Sequence, residues 1–279
     1  MIGRIALDLQ KDGNYERRIH TAIHLAQRHD AELVGVYTTR LTQRYVFDDV
    51  ALPDQVKKIM GRQLSEEQEA MHAEFLKLTE AAGIRAQWRA PEGYPEEALA
   101  MQARYCDLIV MSQTENRNSV ASVVANRTES VIMNAGRPVL MVPFVGEMLP
   151  TVGENILFCW DSGRRAARAL ADAAPLLSSA KQIVSLTIDP DNDALSAKGI
   201  HAGDLAAYCT SHNYPPLTEV VKSRVDTDIG NTILNTATDY GCDMIVMGAY
   251  NNNRLREWAF GGTSKTLLQS MTVPILFSH

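Results

Sequence analysis

The sequence is poor in cysteine and has no long hydrophobic run, and each shortage excludes a class of protein. Its cysteines are Cys106, Cys159, Cys209 and Cys242. None belongs to a CxxC pair, so we expect small buried thiols in a reducing compartment rather than a disulfide framework. No uninterrupted apolar stretch approaches the ~18 residues that a membrane helix needs. Arg137 interrupts the best one, between Val131 and Val145.

The sequence also has fewer basic than acidic residues. The formal net charge is −6, which argues against binding to nucleic acid or to an anionic membrane through bulk charge. The N-terminus has no apolar core of the kind that marks a signal peptide, so we expect a cytoplasmic protein. No nucleophile–base pair and no paired carboxylates stand out. His20 and His24 lie four residues apart, but no third ligand is evident, so no metal site is predicted.

What the chain does have is an internal repeat. The segment Cys106–Met111 recurs as Cys242–Met247. Pro138–Met141 recurs as Pro274–Phe277 with the same offset of 136 positions. The repeat predicts two domains, at 1–146 and 153–279, joined by a short linker that contains Pro150.

A weaker likeness links the first strands of the two halves. Arg4–Asp8 resembles Ile156–Asp161, and an acidic residue is expected to end the strand in each case. The larger offset here means that the first half carries extra residues in its middle. We place them in a long second helix near 54–82, as scaffold or as an interaction surface.

Each half reads as alternating strands and helices. Strands are predicted near 3–9, 31–38, 84–89, 107–112 and 138–143, then near 155–160, 181–188, 217–222, 243–248 and 273–277. Helices are predicted near 14–29, 54–82, 95–104 and 119–135, then near 164–178, 199–212, 229–240 and 263–270. Short apolar strands alternating with amphipathic helices indicate right-handed βαβ units. The fold class is therefore α/β, with two tandem open five-stranded parallel sheets and helices on both faces.

A glycine-rich loop in the second half is the strongest functional signal. It begins at Gly248, after the apolar strand, and ends at Gly261-Gly262-Thr263-Ser264, where a helix begins. Glycines at a strand exit and a helix entrance let backbone N–H groups face an anion, so phosphate binding is the first hypothesis. The alternative is a flexible surface loop with a glycine cap. The loop is neither a Walker A sequence nor a GxGxxG fingerprint.

The loop also carries a family resemblance. The second half resembles a universal stress protein domain, and the whole chain resembles a tandem universal stress protein. ATP-binding members carry G-x2-G-x9-G-[ST] after the fourth strand. Here those positions are filled by Gly248, Asn251, Gly261 and Gly262. Asn251 replaces the second glycine and Gly262 replaces the Ser or Thr, which leaves Thr263 or Ser264 to supply a hydroxyl.

The resemblance implies a strand order of 3-2-1-4-5 and an adenine nucleotide ligand, ATP or AMP, with Mg as a companion ion. Asp161 would contact the adenosine and Ile188 would flank the adenine. The implied nucleotide-binding residues are Asp161, Ser162, Gly163, Ile188, Met247, Gly248, Tyr250, Asn251, Gly261, Gly262, Thr263 and Ser264. No catalytic residue and no metal ligand is assigned.

The first half departs from the motif. Ser112, Glu115 and Ala125 stand at its three glycine positions. A carboxylate at Glu115 would repel a phosphate, so we predict that this half does not bind nucleotide through its loop. Asp8 is expected to be an ordinary helix-entry residue. One asymmetric site per chain is therefore expected.

These observations predict a cytoplasmic stress-adaptation protein with a regulatory nucleotide in its C-terminal half. The two halves would form an internal pseudo-dimer, with a homodimer as a further assembly and a downstream protein partner that the sequence does not identify. Two alternatives stay open. One is a ligand-free interaction module that kept the fold, and the other is a slow ATP hydrolase or self-phosphorylating enzyme.

Overall fold

The computed structural model describes residues 1–38, 54–113, 121–146, 151–201, 203–223, 228–249 and 262–279. These residues form two compact units, Met1–Val139 and Leu140–His279. Tyr250, Asn251 and Gly261 of the predicted site lie outside the described residues, as does Glu115.

The first half alternates strands and helices along the chain. Its elements are β1 (Arg4–Leu9), α1 (Tyr15–His29), β2 (Glu32–Tyr37), α2 (Asp54–Ala81), β3 (Ala86–Arg89), α3 (Pro95–Ala103), β4 (Leu108–Ser112), α4 (Ala121–Asn134) and β5 (Val139–Val142). The strand order is β3-β2-β1-β4-β5, and the pairs β1–β2, β1–β4 and β2–β3 are parallel. This is the predicted order 3-2-1-4-5.

The second half repeats the arrangement with shorter helices. Its elements are β6 (Asn155–Cys159), α5 (Arg164–Asp172), α6 (Ala174–Leu177), β7 (Gln182–Ile188), α7 (Asn192–Ser196), α8 (Asp204–Ser211), β8 (Leu217–Lys222), α9 (Ile229–Asp239), β9 (Met244–Gly248), α10 (Gly262–Ser270) and β10 (Ile275–Ser278). The order is β8-β7-β6-β9-β10, and the pairs β6–β7, β6–β9, β7–β8 and β9–β10 are parallel. The predicted α/β fold class is confirmed.

Hydrophobic periodicity explains why these segments fold as they do. The apolar face of α1, made by Ile19, Ala22, Ile23 and Ala26 at helical spacing, is buried. The central strand β4 is buried along its whole length, and so is β9 up to its last residue. Such near-continuous apolar runs are typical of strands covered by helices on both faces.

Two helix predictions in the second half were wrong in their bounds. The helix predicted at 164–178 is broken after Asp172. A second short helix begins at Ala174, with Pro175 in its first turn, where a missing N–H costs no helical hydrogen bond. The helix predicted at 199–212 begins only at Asp204, behind Gly203 with φ at +92°. The segment 189–193 contains the start of α7, which Asp191 caps by accepting from the N–H of Ala194.

No helix in the described part of the chain has both the length and the apolar character needed to cross a membrane. Within the same residues, no three metal-ligating side chains come together.

Candidate functional site

Three strand ends of the second half open onto one edge of its sheet. In the register, Ile156 pairs with Met244 and Phe158 with Val246, so β6 and β9 end side by side. On the other flank of β6, Cys159 pairs with Leu186 of β7, which ends at Ile188. Ligands of parallel α/β sheets bind at such carboxyl edges. Of the predicted residues, Asp161, Ile188 and Gly248 are brought to this edge.

Gly248 is required by packing. A Cβ at this position would lie 2.7 Å from the carbonyl carbon of Arg165, which belongs to the first turn of α5. The N–H of Ala249 then donates to the carbonyl oxygen of Ser278 at 2.6 Å. The glycine therefore lets the start of α5 rest on the end of β9. Met247, the residue before it, is buried in the core.

The segment Asp161-Ser162-Gly163 forms a turn at the end of β6 that is held by an internal hydrogen bond. The Oδ1 atom of Asp161 accepts a hydrogen bond from the N–H of Gly163 at 2.8 Å. Ser162 has φ at +56°, and a Cβ at Gly163 would lie 2.7 Å from that same carboxylate oxygen. The turn holds the exposed Asp161 carboxylate beside the start of α5. Arg164 and Arg165 follow there, where the helix dipole adds partial positive charge.

The start of α10 is the other described part of the predicted site. The helix begins at Gly262, and Thr263 is half-buried. Its position is set by α9, because a Cβ at Gly230 would lie 2.7 Å from the Cβ of Thr266. Asp228 caps α9 by accepting from the N–H of Gly230 at 3.1 Å. The side chain of Ser264 lies outside the described residues.

The register corrects the predicted equivalence of Asp8 and Asp161. Ile5 pairs with Leu108 as Ile156 pairs with Met244, the residue that repeats Leu108. Counting on from these pairs, Asp8 corresponds to Cys159 rather than to Asp161. Burial, with smaller effects of Asp161 and Cys242, raises the pKa of the Cys159 thiol to about 12. The second half thus has a neutral thiol where the first half has a carboxylate.

Asp8 is also not the helix-entry residue that was predicted. It lies within β1 and is only 2% exposed. Its carboxylate forms a bidentate ion pair with the guanidinium of Arg127 of α4, with both N–O distances at 2.8 Å. Burial by itself would raise the pKa of Asp8, but the charge and hydrogen bonds of Arg127 outweigh it and leave the pKa below its usual value. Arg127 precedes Thr263 by the repeat offset of 136. A guanidinium therefore replaces the hydroxyl that the second half offers at this helix.

A second arginine fills the same edge of the first half. Arg18 is buried, and its Nε donates to the carbonyl oxygen of Asp8 at 2.6 Å. Its Nη1 donates to the hydroxyl of Ser112 at 2.8 Å and to Asp12 at 3.0 Å. Ser112 is the residue that repeats as Gly248. Sequence reasoning missed both arginines, although Arg18 lies next to the apolar face of α1 and could have been flagged.

The repeated Cys-Asp dipeptide has a structural role at the opposite edge. Buried Asp243 accepts from three backbone N–H groups, those of Gly153, Glu154 and Asn155, at 3.0, 3.1 and 3.0 Å. Its counterpart Asp107 accepts from two, at 2.8 and 3.1 Å. Each carboxylate organises the start of the first strand of its half. The repeated Cys-Asp dipeptide thus marks a strand anchor.

Gly248→Ala is expected to lower the free energy of unfolding by about 1–3 kcal/mol, the usual cost of overpacking, because the added methyl meets helix backbone. Gly3→Ala is the matched control, since its Cβ would meet only Asp107, at 3.5 Å. Urea unfolding of both variants checks this. Equal stability of the two would contradict the close approach.

Comparisons with known proteins agree with this architecture. The model of the Universal stress protein family matches residues 6–143 and 154–279. A universal stress protein from Archaeoglobus fulgidus matches over 99% of this chain and 97% of its own, at 16% identity with a TM-score of 0.72. A functionally unknown protein from Pseudomonas aeruginosa matches over 99% and 92%, at 14% identity with a TM-score of 0.60. These identities support a shared fold alone.

A shorter universal stress protein, solved in complex with cAMP, matches over 50% of this chain and 97% of its own, at 19% identity with a TM-score of 0.38. A search of curated proteins found no match.

Proposed function

We propose that this chain, which belongs to the universal stress protein family, binds an adenine nucleotide in its C-terminal half as a regulatory ligand. The observation that carries the proposal is the edge where β6 and β9 end together, with Asp161 on one strand exit and Gly248, pressed against α5, on the other. The ligand is ATP or AMP, with Mg as companion of the triphosphate.

Each end of the nucleotide has a partner in this proposal. The exposed Asp161 carboxylate accepts from a ribose hydroxyl or the adenine amine, and Ile188 flanks the base. The N-terminus of α10, at Gly262 and Thr263, directs free backbone N–H groups at the phosphates. Arg164 and Arg165 add positive charge beside the same edge.

The first half contrasts with the second at this edge. The Asp8–Arg127 ion pair and the buried Arg18, which donates to the backbone carbonyl of Asp8, occupy it. We therefore expect one nucleotide per chain. Cytoplasmic stress adaptation, pairing of the two halves and a homodimer belong to the same proposal.

Calorimetric titration of the purified protein with ATP and with AMP tests the site. We expect one site per chain, and about tenfold weaker binding in Asp161→Ala, since a lost hydrogen bond to a charged group is worth about 1.4 kcal/mol or more. Asp193→Ala, which removes an equal charge from an exposed position, is the matched control. Gly261→Val should abolish binding and leave the fold intact. If the folded protein gives no heat of binding at millimolar ligand, the proposal is wrong.

One observation favours a second candidate, a ligand-free interaction module. Gly262 stands where ATP-binding members of the family carry Ser or Thr, and Asn251 stands where they carry the second glycine of the motif. Under this candidate, ATP leaves the melting temperature unchanged, whereas a ligand that binds only the folded state must raise it. A timed incubation with labelled ATP separates both from a slow hydrolase or self-phosphorylating enzyme, which would give turnover or a labelled protein.

A further inference from the structure

Four arginines of the first half lie together on the side of its sheet that faces away from α2. The two faces can be told apart at β3, because side chains alternate along a strand. Trp88 stacks on His72 of α2, with 4.6 Å between the ring centroids. The next residue, Arg89, points the other way, and its Nη1 donates to Oε1 of Gln102 of α3 at 2.6 Å. We call the arginines on the α3 side the arginine patch: Arg4, Arg89, Arg104 and Arg137.

Hydrogen bonds connect the arginine patch into one continuous surface. Oε1 of Gln87 accepts from both Arg4 and Arg89, at 2.8 and 2.9 Å. Arg4 and Arg137 also donate to two consecutive carbonyl oxygens just after the end of α3, at 3.2 and 3.1 Å. Arg104 donates to the last carbonyl oxygen of α4 at 3.4 Å. The four guanidinium groups are therefore held beside one another in defined positions.

Much of the positive charge of the arginine patch is not compensated. Arg4 forms an ion pair with Glu32 at 2.7 Å, and the nearby Asp107 accepts from backbone N–H groups. The other three arginines donate, within the described part of the chain, to amide and carbonyl oxygens that carry no net charge. Because the whole chain has a net charge of −6, the patch is a local reversal of sign that attracts anionic groups.

The second half forms the same sheet without these charges. The strand registers match Arg4 and Arg89 to residues of β6 and β8. The repeat offset of 136 matches Arg104 and Arg137 to residues before β9 and β10. The fold therefore does not need the arginine patch, which leaves binding as the role that distinguishes the first half. The four matching residues are all neutral: Asn155, Val220, Tyr240 and Val273.

Exposed apolar side chains border the arginine patch. Tyr105, next to Arg104 in the chain, is 71% exposed, and Met101, one helical turn earlier on α3, is 57% exposed. Met133 precedes the carbonyl group to which Arg104 donates, and it is 39% exposed. Arginine, tyrosine and methionine are enriched at protein–protein interfaces, whereas lysine is depleted there. This composition suits a polypeptide partner, and the negative net charge of the chain argues against a nucleic acid.

We propose that the arginine patch docks an acidic segment of a partner protein. Carboxylates of the partner bind the guanidinium groups, and an apolar side chain of the partner packs on Tyr105 and Met101. A guanidinium has five N–H donors in a planar fork that matches a carboxylate. Among the described residues, Arg104 and Arg137 each use one of these donors, so the others are available. The patch contains no residue assigned to the nucleotide, so this interaction does not depend on the proposed function.

Fluorescence anisotropy of labelled peptides, titrated with the full chain, tests the proposal. The probe is an acidic peptide in which Glu alternates with Leu and Ser, and its control has Gln in place of each Glu. We expect the acidic peptide to bind with a Kd in the micromolar range, because the surface is small, and to bind several-fold more weakly at high salt. The Gln peptide should bind about tenfold more weakly. An acidic peptide that binds no better than the Gln peptide overturns the proposal.

Two variants place the binding on the arginine patch. Arg104→Gln/Arg137→Gln should bind the acidic peptide about tenfold more weakly, whereas Arg62→Gln/Lys77→Gln, which removes two exposed charges from α2, is the matched control and should bind like the wild type. Tyr105→Ala leaves the hydrogen bonds of the arginines in place, because only its backbone oxygen is used. It should bind several-fold more weakly with an unchanged melting temperature. Wild-type affinity in either the double arginine variant or Tyr105→Ala contradicts the proposal.

A labelled single-stranded RNA with the same number of negative charges as the peptide distinguishes a protein partner from a nucleic acid. We expect the RNA to bind more weakly than the acidic peptide, since it offers no apolar side chain to Tyr105 and Met101. An RNA that binds more tightly, and that loses affinity in Arg104→Gln/Arg137→Gln, assigns the patch to nucleic acid and overturns the proposal. Titration of the same variant with ATP should match the wild type, so that this proposal and the nucleotide site are tested separately.

Discussion

Replacing Arg127 by methionine is expected to lower the free energy of unfolding of the first half by about 3–5 kcal/mol. The substitution leaves the Asp8 carboxylate, 2% exposed, without the guanidinium that binds both its oxygens at 2.8 Å. Removing one partner of a buried ion pair costs this much because the other charge stays buried and uncompensated. Urea unfolding by circular dichroism measures the loss, and hydrogen exchange of β1 assigns it to the first half.

Two further variants show whether the cost arises from the unpaired charge. Arg62→Met breaks the exposed pair with Glu66 and should change stability by less than about 1 kcal/mol. The double variant Asp8→Leu/Arg127→Met removes both charges and should recover most of the loss, because an apolar pair of similar volume often replaces a buried ion pair at little cost. A single Arg127→Met variant as stable as Arg62→Met would contradict the buried pair.

Asp243→Ala is expected to cost the second half about 3 kcal/mol. Three backbone N–H groups at the start of β6 lose the carboxylate that accepts from all of them. Hydrogen bonds to charged groups contribute more than neutral ones, and buried donors left unsatisfied carry a desolvation penalty. Thermal unfolding, with hydrogen exchange of Gly153, Glu154 and Asn155, measures both the loss and its place.

The first half supplies the control for this prediction. Asp107 stands at the same position of the repeat, but it is exposed and accepts from two N–H groups in place of three. Water can replace the lost acceptor there, so Asp107→Ala should cost less than about 1 kcal/mol. Equal costs for the two variants would mean that burial of the Asp243 carboxylate does not set its contribution.

The two halves share one fold but differ in the residues that fill the carboxyl edge of the sheet. In the first half Arg127 and Arg18 satisfy Asp8 and Ser112 from within. In the second, Cys159 is a neutral thiol at the place of Asp8 and Gly248 admits the start of α5. The loss of the glycine motif in the first half thus coincides with a built-in cation where the second half is proposed to bind an anion.

Most of the fold could be predicted from residues close together in the chain. Apolar runs such as Met244–Met247 and the face of α1 predict strands and helices, because burial on one or both sides leaves a readable period. The predicted helix bounds were wrong where the hydrophobic periodicity runs through a residue with special backbone requirements. Pro175 divides a helix, and Gly203 delays another, because each changes the backbone at a single residue.

The candidate site was only partly readable. Glycine spacing pointed to Gly248, but the reason for that glycine is the backbone of Arg165, which is distant in sequence. The equivalence of Asp8 and Asp161 failed because similar strings were aligned by letters, whereas a strand's register is set by its neighbours. No local similarity in the sequence indicates that the guanidinium of Arg127 contacts the carboxylate of Asp8.

The sequence by itself determined the repeat, the alternation of strands and helices, and the asymmetry of the glycine loop, since these follow from the order and polarity of neighbouring residues. The tertiary structure decided which side chains meet: Arg127 with Asp8, Arg165 with Gly248, and Asp243 with the start of β6. Such contacts join residues about 80 to 120 positions apart, and only the packing of helices on a registered sheet determines which of them form.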